Sequence, residues 1–346
     1  MKRIAALAFL GLLGVSGLSC QKDCECEKKK LAAKLALANS QTTSMNIRKV
    51  DFGTTKSGQT VHLYVMTNHN GMVAKVMTWG AILTELDVPD RSGKPGDVVL
   101  GFDNFARYEA GHPFFGAVAG RVANRIAKAK YTIDGKEYTA FANNGANTIH
   151  GGKEGFDKKI WAAETKQTPE GAALILRYTS PDGEEGYPGT LQTTVTYTLT
   201  EKNELKIDYL ATTDKPTILN LTNHSYFNLA GPGTGDMLGH TLTINADKYT
   251  PVDAGLIPTG ELAPVAGTPL DFRAPKTIGQ DIAKVSIGGY DHNYVLNKPA
   301  LGELTLAAKV SEPTTGRVME CWTTEPGVQL YTAIHLDGKT VGIGGA

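Results

Sequence analysis

The sequence predicts an all-β protein, a large antiparallel β-sandwich, on three observations. Leu191, Val195, Tyr197 and Leu199 alternate with threonines, and after a polar turn Leu205, Ile207 and Tyr209 alternate again. Side chains of a strand point alternately to its two faces, so this spacing spells a hairpin of two half-buried strands. Tyr131 and Ile133 run through Asp134-Gly135 to Tyr138, and Asp-Gly is a dipeptide that seats a tight hairpin turn. Beyond the N-terminal segment, no long stretch keeps the 3.6-residue period of an amphipathic helix, while glycine is abundant at 39 residues.

The N-terminus stands apart from that pattern. Lys2 and Arg3 precede an apolar run from Ile4 to Leu18, which ends in Gly17-Leu18-Ser19-Cys20. A basic start, a short apolar run and small residues describe a secretory signal over residues 1–20. The ending is similar to a bacterial lipoprotein signal, in which the cysteine becomes the lipidated first residue. Cys20 is therefore the expected lipidation site, and the mature protein is expected in the cell envelope, facing the periplasm. Gly17 stands where such signals usually carry leucine, so ordinary signal-peptidase cleavage is the alternative. Residues 21–45 are polar and mixed in charge and read as a tether. Cys24 and Cys26 within it lack neighbouring metal ligands, and Cys321 is too remote to suggest a disulfide framework.

Residues 46–346 are the expected folded domain. Leu174, Leu176 and Tyr178 form a strand running into the turn-rich SPDGEEGYPG, and Leu242 with Ile244 marks another. The stretch TILNLTNHSYFNLAG, residues 217 to 231, reads as a strand with Leu219, Leu221 and Phe227 on a core face. Its other face carries Asn220, Thr222, His224 and Tyr226, an imidazole among polar groups. Lysine plus arginine equals aspartate plus glutamate at 35 each, so the formal net charge is zero. No basic stripe invites nucleic acid, and a neutral chain suits a small uncharged ligand.

Four polar clusters interrupt the strand pattern: GRVANRI with Asn124 and Arg125, NTIHGG with His150, the stretch around His224, and GGYDHNY with Asp291. The two glycines after His150 suit a close approach of backbone to ligand. The sequence has no H-E-x-x-H metal motif, no phosphate-cradling glycine loop leading into a helix and no G-x-S-x-G elbow. Acid–base chemistry on a polar, uncharged molecule is what remains.

GRVANRI, TIHGG, NLTNHSYFNL, YDHNY and TTEPGVQLYT, in this order, resemble the aldose 1-epimerase (galactose mutarotase) family, from about Lys49 to the C-terminus. The resemblance implies a supersandwich with sugar on its concave face. It also implies interconversion of the α and β anomers of free aldoses, glucose and galactose among them, through the open-chain form. In that frame His224 is the general acid at the ring oxygen, and His150 hydrogen-bonds the sugar and supports the developing charge. Asn124, Arg125, Asp291 and Gln329 bind hydroxyls, and Tyr226 or Trp79 stacks on the ring. No cofactor and no metal are required, the expected partner is an aldose, and the expected state is a monomer.

One departure sets up a contest. The family's base is a glutamate downstream of a strand ending in LDG. Here LDG is Leu336 to Gly338, followed by KTVGIGGA, with no such glutamate. The chain is therefore expected to be C-terminally truncated, and a sugar-binding protein with impaired turnover is the alternative. A sugar-phosphate mutarotase is the second rival. A glycoside hydrolase would need two carboxylates flanking the bond, and the clusters offer Asp291.

Overall fold

Sheets joined by short turns build the protein, and the computed structural model describes residues 46–346. The proposed signal over residues 1–20 with Cys20, and the tether over 21–45, lie outside the described residues. Residues 46–346 form one compact unit.

The first sheet is a five-stranded antiparallel meander of Ile47–Thr54, Thr60–Thr67, Val73–Met77, Leu83–Pro89 and Pro95–Asp97. Val61 and Leu63 face one side, where they pack with Phe102, Phe105, Tyr108 and Phe115. Tyr64 and Met66 face the other, as the two-residue period requires. On that side lies a four-stranded sheet of Ala162–Thr168, Gly171–Ser180, Leu191–Thr200 and Leu205–Thr213, all antiparallel. Leu174, Leu176, Val195, Tyr197 and Leu199 of this sheet join Tyr64, Met66 and Leu83 in one buried cluster. Two antiparallel sheets share an apolar interior, which is the sandwich the alternation implied.

Two further four-stranded antiparallel sheets follow. One contains Thr241–Ile244, Thr305–Ser311 and Val318–Thr323, and the other contains Lys248–Tyr249, Asp291–Val295 and Gly327–Tyr331. Leu242 and Ile244 from the first meet Tyr294 from the second, and Tyr290 just before it, in a separate buried cluster. The hairpin Lys130–Ile133 to Lys136–Thr139 pairs as expected, with Asp134 at φ 49° and Gly135 at φ 79°, the doubly left-handed turn of such hairpins. The short helix Phe105–Ala110, capped by the Asn104 side chain, is an element the sequence reading did not anticipate.

Residues 217 to 231 depart from expectation. Only Thr222–Asn223 forms a strand, paired with Val118–Ala119, and single bridges link Asn220 to Val122 and Phe227 to Val99. Leu219 and Phe227 are exposed rather than on a core face. The reason is local. The Asn223 carboxamide oxygen accepts both the Ser225 backbone N–H at 3.0 Å and the Ser225 hydroxyl at 2.6 Å. That turn breaks the extended ladder just where His224 sits, so a two-residue period does not persist through it.

Candidate active site

His224 is held by its backbone on both sides. Its N–H donates to the Ala117 carbonyl at 2.9 Å, and its carbonyl accepts from Gly116 N–H at 3.0 Å. Asn223 adds an anchor from below, donating to the Gly116 carbonyl at 2.9 Å and to the Tyr197 hydroxyl at 3.2 Å. Tyr197 is fully buried and donates to Ala81 O at 2.8 Å, so the turn carrying His224 is pinned to the sandwich core.

His150 arrives from the other side. Thr148–Ile149 pairs with Arg125–Ile126, which sets NTIHGG beside GRVANRI. The His150 N–H donates to the Asn124 carbonyl at 3.1 Å, and the Asn124 N–H donates back to His150 Nδ1 at 3.2 Å. An Nδ1 that accepts a hydrogen bond leaves the ring proton on Nε2, so neutral His150 presents a single outward donor. The two imidazoles meet edge to face, with centroids 5.0 Å apart and planes at 82°. Phe114 lies against both, 4.5 Å from His150 and 5.7 Å from His224.

The first glycine after His150 also lets two chain segments approach closely. Gly151 has φ +92°, and a Cβ there would fall 1.7 Å from the Gly120 carbonyl oxygen. The segments TIHGG and GRVANRI are thereby packed backbone to backbone. Phe114, Asn124 and His150 all have positive φ, at 62°, 61° and 50°. Left-handed backbone at a bulky residue is uncommon, and such outliers gather at functional sites.

Arg125 lies half-buried beside these groups. Its Nε donates to Asn144 Oδ1 and its Nη1 to Asn124 Oδ1, each at 3.3 Å. A guanidinium has five N–H donors, so three are left for a ligand. Asp291 and Gln329 come from neighbouring strands in which Asp291 pairs with Tyr331 and Asn293 with Gln329. Gln329 Nε2 donates to Asp291 Oδ1 at 2.7 Å. His292 points the other way; it is buried, and its Nδ1 accepts the Asp291 N–H. Tyr331 completes the wall, 6.3 Å from His224 and 5.7 Å from Tyr226.

Electrostatics separate the two imidazoles. Burial pushes His150 down to about 3, and the nearby His224, Arg125 and Lys158 push in the same direction. His224 is also lowered by burial, a shift opposed by a hydrogen bond to its own backbone and, less strongly, by the Asp291 carboxylate. Both rings are shifted toward the neutral form by burial, and only His224 has the Asp291 carboxylate working against that shift.

The Tyr226 ring is 5.2 Å from His224, and its hydroxyl donates to the Pro113 carbonyl at 2.9 Å, which places it at the site. Trp79 instead packs edge-on against Phe105 at 5.5 Å, within the cluster on the outer face of the first sheet. Among the described residues, no group of three or more His, Cys, Asp or Glu is placed to hold a metal ion.

The sequence profile described as "Aldose 1-epimerase" matches residues 62–346. The chain belongs to that family. It is 48% identical over 271 residues to a galactose mutarotase of Sus scrofa, covering 78% of this chain and 77% of the relative. An aldose 1-epimerase of Escherichia coli is 39% identical over 285 residues, with 81% of each chain covered. Among solved structures, an aldose epimerase homologue from C. elegans superposes with a TM-score of 0.75 at 32% identity, covering 82% of this chain and 85% of that one. A galactose 1-epimerase from Lactobacillus acidophilus gives 0.69 at 30% identity, with 78% of each covered.

Within this aldose 1-epimerase fold, Phe114, Tyr331 and Asn223 are site groups that the sequence reading missed. Phe114 sits in HPFFGA, which looks like ordinary core, and only its left-handed backbone sets it apart. The Asn-x-Ser spacing of Asn223 and Ser225 was the readable signal, because asparagine commonly closes a turn onto the residue two ahead.

Proposed function

We infer that this aldose 1-epimerase family member interconverts the anomers of free aldoses, galactose and glucose among them, by acid–base opening and reclosure of the ring. The observation that carries this is the pair of imidazoles meeting edge to face at 5.0 Å, with His150 locked as a neutral donor beside His224. In ring opening the His224 imidazolium gives its proton to the ring oxygen as the bond to C1 breaks. With no glutamate downstream of residues 336–338, the anomeric hydroxyl passes its proton to a water molecule as the C1 carbonyl forms. Rotation about C1–C2 and the reverse steps give the other anomer. On reclosure the C1 oxygen regains a proton from water and His224 recovers its own, so protons and electrons balance without an oxidant or a reductant.

His150 directs its Nε2–H at a sugar oxygen where negative charge builds, while Arg125 and Asn124 hold ring hydroxyls. Gln329 engages one Asp291 oxygen, and the other is free to accept from a hydroxyl. The high identity to named mutarotases favours turnover over binding alone. The test is NMR exchange spectroscopy on galactose and glucose, with methyl α-D-galactoside alongside. Cross-peaks between the anomeric protons of the free sugars support the reading, and the glycoside, which cannot open, should bind without reacting. Methanol release from the glycoside would point to a hydrolase, and binding without exchange peaks to a sugar-binding protein.

A pH shift follows from the Asp291–His224 pairing. The carboxylate favours the imidazolium, so Asp291→Asn lowers the His224 pKa further below its ordinary value. The imidazolium is the donating form, hence activity is lost on the alkaline side, and that limb of kcat/KM moves to lower pH in the variant. A limb that stays put or moves up contradicts the pairing.

Export is proposed from the N-terminal residues alone. Cys20 lipidation would hold the mature protein at an envelope membrane, and Cys20→Ala should release it to the soluble fraction or leave it unprocessed. Mass spectrometry of the native protein showing an intact Met1 would contradict export.

A further inference from the structure

We propose that Lys158, fixed by the buried Asp157 and lying over the face of Phe114, is a further sugar-binding residue of the site. The inference rests on the aldose reading above. Lys158 Nζ donates to Asp157 Oδ2 at 2.8 Å, and the lysine side chain keeps 34% of its exposure while the aspartate keeps 2%. The same ammonium stands 5.7 Å from the centroid of Phe114, the ring that touches both His150 and His224. An ammonium has three donors. One is taken by Asp157, and the rest are available on the exposed side.

The seat under Asp157 belongs to the site as well. Gly155 lets it form, because a Cβ there would fall 2.8 Å from Asp157 Oδ1 and 2.7 Å from the His150 carbonyl. The carboxylate thus tucks in near the backbone that carries His150. The nearest imidazole, His112, has its Nε2 3.8 Å from Asp157 Oδ2 and is equally buried. Burial and the Lys158 charge push His112 down to about 4, so at neutral pH it brings no counter-charge. Lys158 is therefore the cation that compensates a carboxylate buried at considerable desolvation cost. A surface ion pair could stabilise the fold without burying the acid, whereas a buried acid holds the ammonium in one place. Arg125 and Lys158 both lie near enough to His150 for their charges to act on it, so two cationic donors are available for different hydroxyls of one ring.

NMR titration of D-galactose and its monodeoxy analogues tests this with wild type, Lys158→Met and Lys158→Arg, and thermal melts report folding. Losing a charge-assisted hydrogen bond should weaken galactose binding about 10- to 100-fold in Lys158→Met. That penalty should vanish for the one analogue lacking the hydroxyl Lys158 holds, and Lys158→Arg should recover part of it. Unchanged galactose affinity, or an equal loss across every analogue, overturns the assignment. Should the methionine variant melt early, Lys158→Gln keeps a polar group beside Asp157 and is read by the same analogue pattern. Turnover separates the two readings. A wild type that binds with the Lys158 pattern but shows no anomer exchange sinks the proposed activity alone, and one that binds no aldose sinks both.

Discussion

His224→Gln is expected to lower kcat for mutarotation by about 10²–10⁴, roughly 3–5 kcal/mol of barrier, with little change in thermal stability. Glutamine can still donate a hydrogen bond, but its amide cannot release a proton to the ring oxygen. The fold should tolerate the change because the turn is held by backbone bonds to Ala117 and Gly116 and by Asn223, none of which uses the imidazole. NMR exchange rates between anomeric protons at saturating galactose check it. A rate within a few-fold of wild type would remove His224 from the acid role. An early melt with a proportionate loss of activity would make the residue structural.

His150→Asn should cost about 10²–10³ in kcat, the scale seen when one preorganised donor to a developing charge is removed. Asparagine is the informative replacement because it tolerates left-handed backbone, and His150 has φ 50°. The backbone exchange with Asn124 should therefore survive while the outward Nε2–H is lost. Its pH signature separates it from His224. His150 is held neutral down to about 3, so removing it should reduce the rate by a similar factor across pH 5 to 8 and leave the profile's shape alone. A variant that instead shifts the limbs of the profile would show that His150 titrates during turnover.

The sandwich was legible because the large apolar residues of its hairpin strands alternate with threonines or other polar residues. Val195, Tyr197 and Leu199 reach the core at every second position, and their hairpin partners follow in register. The tight hairpin at Asp134-Gly135 was legible for an equally local reason, since few dipeptides accept two left-handed residues in succession. The stretch around His224 was not. Its composition suggested a strand, yet Asn223 spends its carboxamide on Ser225 and ends the ladder there.

His150, His224, Asn124, Arg125, Asp291 and Gln329 could be named from motif resemblance, but their convergence depends on which strands pair. Asp291 and Gln329 meet because Asn293 pairs with Gln329, a register set by distant packing. Phe114 and Lys158 gave no local sign at all. Their place beside the imidazoles comes from a left-handed residue and a buried aspartate, features that only the tertiary structure supplies.

Polarimetry of freshly dissolved α-D-galactose tests the central claim most directly, with the purified protein, its His224→Gln variant and buffer run side by side. Acid transfer from His224 predicts that the wild type brings the optical rotation to its equilibrium value far sooner than buffer, while the variant stays close to the buffer curve. Equal acceleration by wild type and variant, or none by either, would contradict it.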